Sequence, residues 1–211
     1  MAATPITDGG GAVPATAAAP PVTPLADPGA WAVTAFATTS FMLGWYNAGE
    51  IGHASLPIVF PVAFFFGGLI QIIVGILEIG RGNLFGGVVF GTYGPFWVIF
   101  GAIETWFAPK VHPAAAADQG VALFLAMFAV VSFYFWIASF RTDVVLVVVI
   151  GLIWIGLGLL AWGFSGGHTS LIEAGGWVTV AFAVLAWYHA AADIIKFTFK
   201  RPVLPVGRIG G

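Results

Sequence analysis

Six stretches of about twenty predominantly apolar residues leave this chain few ways to fold: Pro28–Asn47, Leu56–Ile79, Leu84–Phe107, Val121–Phe140, Val144–Phe164 and Leu171–Ile195. A hydrocarbon layer about 30 Å thick is crossed by roughly 20 residues of helix. Each stretch is long enough, and none shows the short alternating segments of a transmembrane barrel. Only 8% of the 211 residues are charged and 60% are hydrophobic, where a soluble domain carries about 25% charge. The expected fold class is an all-α membrane protein, six transmembrane helices in one bundle.

The connections between these stretches are short. The N-terminal tail, the Arg81 loop, the Arg141 loop and the C-terminal tail therefore share one side. That side holds Arg81, Arg141, Lys196, Lys200, Arg201 and Arg208, and the other holds only Lys110. The excess of basic residues places both termini in the cytoplasm and the protein in the cell membrane. Residues 1–25, rich in Ala, Pro and Thr, read as a disordered cytoplasmic tail without a signal peptide. The transmembrane domain is expected over 26–197 and a C-terminal tail over 198–211. Asp27-Pro28 suits a helix start, with a carboxylate cap and proline at the first helical position.

Several chemistries are excluded or disfavoured. The chain has no cysteine, which removes thiolate catalysis and thiolate-ligated metals. Its four histidines are scattered, so neither a metal site nor any other cofactor is expected. A net charge of −2 gives no footprint for nucleic acid. Patterns such as GxSxG, HExxH and the phosphate loop are missing, so an enzyme is not expected. Lys196, at a helix end in a six-span chain, is a poor candidate for a retinal linkage.

Helical spacing sorts the polar residues into tracks. Gly67, Gln71, Gly75 and Glu78 fall on one stripe of the second span. Phe36, Ser40, Gly44 and Asn47 form another on the first. Gly87, Gly91 and Gly94 give the third span a small-residue face, while Tyr93, Trp97, Phe100 and Glu104 run along a face of their own. Small residues permit close helix approach and buried polar groups bond neighbouring helices. Polar groups at membrane depth also line solute paths. Both readings apply to Gln71. Glu78, beside Arg81, reads as an interfacial ion pair, and His189 and Asp193, four residues apart, allow the same reading; for all three a proton-handling role is the alternative to the structural one. Gly52-His53-Ala54-Ser55-Leu56 echoes Gly167-His168-Thr169-Ser170-Leu171 ahead of the second and sixth spans, both at the outer face; if His53 and His168 face the outer mouth there, they would draw an anion in when protonated.

The ordered motifs resemble the acetate uptake transporter family, whose bacterial members include the succinate–acetate permeases. The likeness extends from Leu25 to Gly207. It rests on Asp27-Pro28 with Phe36 and Thr38-Thr39, Asn47-Ala48-Gly49, Gly67-Gly68 before Gln71, and Gly75 before Glu78. It continues through Gly82-Asn83-Leu84-Phe85-Gly86, Tyr93-Gly94 with Phe96-Trp97, Gly176-Trp177, and Arg201-Pro202-Val203-Leu204-Pro205-Val206-Gly207. The family's Asn-Pro-Ala-Pro-Leu-Gly-Leu opening stands here as Asp27-Pro28-Gly29-Ala30-Trp31-Ala32-Val33, which adds a charge and drops the second proline.

The resemblance implies a homo-hexamer in which each six-helix protomer carries its own path for small monocarboxylates. Acetate is the usual substrate, with succinate in some members. It implies an apolar gate of Phe36, Tyr93 and Ile153. Thr39, Ser40, Asn47, Gln71 and the tyrosine hydroxyl are then candidate donors along the path. No lysine or arginine lies deep in a span, which suits weak and transient anion binding. Two other classes stay open: a channel for a small neutral solute such as urea or ammonia, and a membrane scaffold or sensor whose polar residues only join helices.

Overall fold

A computed structural model describes residues 25–209. Among these, six long helices follow one another: α1 (Gly29–Asn47), α2 (His53–Gly80), α3 (Leu84–Lys110), α4 (Ala114–Ser139), α5 (Val144–Gly166) and α6 (Thr169–Phe199). Helices α2 to α6 are long and apolar enough to cross a membrane. Helix α1, with 19 residues, is about 28 Å long. It is less apolar because of Thr34, Thr38, Thr39 and Ser40. Its threonine hydroxyls donate to carbonyls one turn back, Thr34 to Ala30 at 2.8 Å and Thr39 to Ala35 at 2.9 Å, which satisfies them inside the helix. The expectation of a cytoplasmic tail over residues 1–25 lies almost wholly outside the described residues.

Several helix ends depart from the expected spans. The fourth begins at Ala114 rather than Val121, because a run of alanines after Pro113 forms helix readily. The sixth runs to Phe199, beyond the boundary expected at residue 197. Helix α1 starts at Gly29, one residue later than expected, with the Asp27 carboxylate accepting from the Gly29 N–H at 2.9 Å.

Helix α2 is the irregular member. It opens as a 3₁₀ turn (His53–Ile58), passes through Val59–Val62, widens to π turns over Ala63–Ile70 and closes as α-helix from Gln71 to Gly80. Despite the wider turns, Gly67, Gln71, Gly75 and Glu78 are all buried, so the polar stripe holds.

Helix α1 packs on α6, α6 on α5, α5 on α4, and α2 on α3. The α2–α3 contact is close. A Cβ on Gly75 would stand 2.7 Å from the Gly91 nitrogen, so glycine there sets the helix separation. Large apolar side chains such as Phe65, Ile76, Leu123, Met127 and Trp162 face outward, as a lipid-facing surface requires. The start of α1 and the end of α6 lie on one face of the bundle, the termini side; the α1–α2, α3–α4 and α5–α6 connections lie on the far side.

The segment after α6 is tied down. Lys200 takes a left-handed conformation (φ 57°) and turns the chain back. Gly207 O then accepts from Val144 N at 2.8 Å and Val206 O from Val145 N at 3.2 Å. These bonds satisfy the first free N–H groups of α5. The Tyr188 hydroxyl donates to Pro205 O at 2.8 Å.

Candidate functional site

Phe36 of α1, Tyr93 of α3 and Ile153 of α5 meet near the middle of the bundle, and all three are buried. The Phe36 and Tyr93 rings lie 5.7 Å apart between centroids. Phe36 is backed by a stacked Phe182 at 5.6 Å, and Tyr93 by Phe135 edge-on at 5.8 Å. Ser132 of α4 donates its hydroxyl to Phe128 O at 2.7 Å, so in its 2.8 Å bond with Tyr93 it accepts. The tyrosine hydroxyl is thereby committed to Ser132. It holds the ring in place instead of offering the hydrogen bond to a solute that the sequence suggested.

Two cavities lie on either side of this cluster, of about 260 Å³ on the far side and about 290 Å³ on the termini side. Their walls have three residues in common: Phe36, Tyr93 and Ile153.

The far-side cavity is walled chiefly by aromatic and aliphatic groups, with Ser40, Asn47, His53, Glu104 and Asp118 among its polar residues. Ser40 Oγ and Trp97 Nε1 are buried there without a hydrogen-bond partner in the fold. Both carry a proton to give. A buried donor left unsatisfied costs free energy, so two such donors among the residues of one cavity mark a place suited to an acceptor. His53 lines this cavity; His168 lines neither and stays exposed. The paired-histidine expectation therefore splits. Thr39 also lines neither cavity: it packs against Gly67, where an added Cβ would meet its Oγ1 at 2.7 Å.

The termini-side cavity has Gln71, Glu78, Asn83, His189 and Asp193 in its wall. Gln71 is fully buried. Its Nε2 donates to Gly67 O at 2.6 Å, and Oε1 has no partner. Turning the amide over would set oxygen against the Gly67 carbonyl, so the hydrogen bond fixes the orientation. The side chain expected to act as a donor thus leaves an acceptor unpaired.

Glu78 accepts from Asn83 Nδ2 at 2.9 Å and lies 3.4 Å from Arg81, whose guanidinium also reaches Asp27 at 3.2 Å. Partial burial pushes the Asp27 carboxyl up, but the Gly29 N–H and Arg81 outweigh it and hold it below the usual range. His189 sits 3.7 Å from Asp193, and its closer partner is Asp143 at 2.9 Å, arriving from the α4–α5 loop. Burial raises Asp143, yet hydrogen bonds from His189 and the Leu146 N–H bring its net position below the ordinary carboxylate value.

Sequence reasoning missed two partners here, Ser132 under Tyr93 and Asp143 beside His189, and one unpaired donor, the indole N–H of Trp97. Tyr93 and Ser132 are separated by 39 residues, and Asp143 and His189 by 46, beyond any local spacing rule.

Comparison with known proteins agrees with this architecture. A bacterial structure described as the acetate channel SatP superposes with a TM-score of 0.80 at 29% identity, covering 87% of this chain and all of that one. The succinate-acetate/proton symporter SatP of Escherichia coli K12 is 30% identical over 187 residues, 88% of this chain and 97% of its own length. The ammonia transport outward protein 2 of Saccharomyces cerevisiae is 33% identical over 82% of this chain, which spans 63% of that longer relative. The sequence profile of the GPR1/FUN34/yaaH family matches residues 9–207. On that match, and on these relatives, this multi-pass membrane chain belongs to the GPR1/FUN34/yaaH family.

Proposed function

We propose that the protein is a membrane channel or transporter, not an enzyme, for small monocarboxylates, with acetate the principal solute and succinate within its range. The observation that carries this reading is the meeting of two cavities at Phe36, Tyr93 and Ile153 alone. Acetate has a charged head and one methyl group. Its path needs hydrogen-bond donors interrupted by an apolar constriction that excludes water and ions. Ser40 and Trp97 supply donors on the far side; Phe36, Tyr93 and Ile153 form the gate; Asn47 lines the far-side approach. The relatives named for acetate and succinate favour the same solutes.

The termini-side wall offers Gln71 Oε1, an acceptor. It complements a solute that brings its own hydrogen, such as a protonated carboxylic acid. The same oxygen, with a relative named for ammonia transport, favours ammonia as the second reading. In the first reading both termini face the cytoplasm and the working unit is a homo-hexamer.

The test is uptake of labelled acetate by the purified protein in liposomes, with and without a proton gradient. Flux that follows the acetate gradient alone indicates a channel; uphill accumulation driven by protons indicates symport. Methylammonium passage unaffected by excess acetate would replace the carboxylate reading with the ammonia one. No flux of either would remove both.

A further inference from the structure

Beyond Ile195, helix α6 continues to Phe199, turns at Lys200 and returns along the start of α5. The fold-back encloses a groove of about 660 Å³ on the termini side, against the beginning of α1. Lys196, Lys200, Arg201 and Arg208 line it, together with Asp27 and Asp193. Four cations thus stand against two carboxylates. Asp27 is held by Arg81 at 3.2 Å and Asp193 lies 3.7 Å from His189. Among the described residues, none of the four basic groups enters an ion pair or a side-chain hydrogen bond. Lys200 Nζ instead rests over the Phe197 ring at 4.2 Å.

The groove is also amphipathic. Ile194, Phe197 and Pro202 belong to its wall. Phe197 is 65% exposed and Ile194 49%, at the end of a membrane-spanning helix. A soluble anion would engage the cations and leave these apolar groups bare. An amphiphile with an oxyanion head covers both. Guanidinium groups suit phosphate oxygens in particular, through paired N–H donors. Basic pockets beside helix ends at the membrane surface are suited to acidic lipid head groups for the same reason.

We propose that this groove is a binding site for the phosphate head group of an anionic phospholipid. Lys196 and Lys200 approach it from the end of α6, and Arg201 and Arg208 from the returning segment. Asp27 and Asp193 line both this groove and the termini-side cavity, so an occupied site lies beside the mouth of the path.

The experiment is a thermal melt of the purified full-length protein in neutral detergent, titrated with dioctanoyl phosphatidylglycerol. Dioctanoyl phosphatidylcholine and inorganic phosphate serve as parallel probes. The expected result is a saturable rise in Tm with phosphatidylglycerol alone. Lys200→Gln with Arg201→Gln should raise the half-saturating concentration by roughly tenfold, two lost contacts of the charge-assisted kind. Arg208→Gln, farther along the returning segment, should weaken binding as well. Arg141→Gln, an exposed cation on the same face outside the groove, should leave it unchanged. An equal rise with phosphatidylcholine or with inorganic phosphate overturns the proposal. So does a loss for Arg141→Gln as large as for the groove variants, which would mean a diffuse basic surface. Native mass spectrometry of the wild-type protein gives a second readout, since preferential retention of phosphatidylcholine would overturn the assignment without any variant.

Discussion

Ile153→Ala puts the gate to a quantitative test, because Leu157, one turn along α5, supplies its own control. Both side chains are buried, and both substitutions remove three carbons. At about 0.8 kcal/mol for each buried methylene-sized group, each costs about 2.4 kcal/mol of stability. The additional cavity term is small for both, since each already borders open space. The two variants should therefore melt alike. They differ in position: Ile153 walls both cavities, and Leu157 only the far-side one. Ile153→Ala widens the constriction itself, while Leu157→Ala enlarges a chamber that is already wide. One methylene in a close-fitting apolar site is worth about tenfold or more in discrimination. The succinate-to-acetate flux ratio in liposomes should therefore rise by about tenfold or more for Ile153→Ala and stay near wild type for Leu157→Ala. Equal ratios in two variants of equal stability would refute the idea that the three-residue meeting point controls passage.

Gly75→Ala should destabilise the bundle by about 1–3 kcal/mol, toward the upper end, because the new methyl meets Gly91 backbone at 2.7 Å and 2.9 Å rather than a movable side chain; melting in detergent measures it. Gln71→Ala should lower acetate flux with assembly intact, and a well-expressed variant with unchanged flux would assign Gln71 to packing alone. His189→Leu should cost about 3 kcal/mol, the low end for breaking a buried pair, because Asp143 keeps its Leu146 N–H. Asp143 has a lowered pKa in the folded state, so its stabilisation is fully present above about pH 3.9, its unfolded value, and is lost as pH falls through the lower folded one. Below about pH 4 the wild type should accordingly lose stability more steeply than Asp143→Asn, and parallel acid limbs in the two melts would refute that assignment.

The membrane class and the six helices were legible because a bilayer imposes one length and one composition on every crossing. The Gly67–Gln71–Gly75–Glu78 stripe was legible too, since helical periodicity alone puts those residues on one face. The meeting of Phe36 and Tyr93 was anticipated through family resemblance rather than periodicity, and Ile153 through fewer anchors still. Other features had no local signal. The π turns of α2 leave no compositional mark, and they rotate the helix just before Gln71. Thr39 and Ser40 are neighbours in sequence, yet one packs on Gly67 and the other faces a cavity. No pattern could tell which way the Gln71 amide points, because the Gly67 carbonyl decides it. Long-range pairs such as Tyr93–Ser132 and Asp143–His189 depend on how whole helices are juxtaposed.

The bonds from Val206 and Gly207 to the start of α5 have a consequence in the order of synthesis. Translation delivers Val144 and Val145 long before the carbonyls that complete their hydrogen bonding. Until residues 201–207 emerge, the fifth helix has an unfinished first turn, and the loop carrying Asp143 lacks its backbone neighbours. The order of synthesis therefore leaves the start of α5 open until a segment that follows the sixth helix arrives, and a chain cut short before that segment would carry an unfinished α5 end.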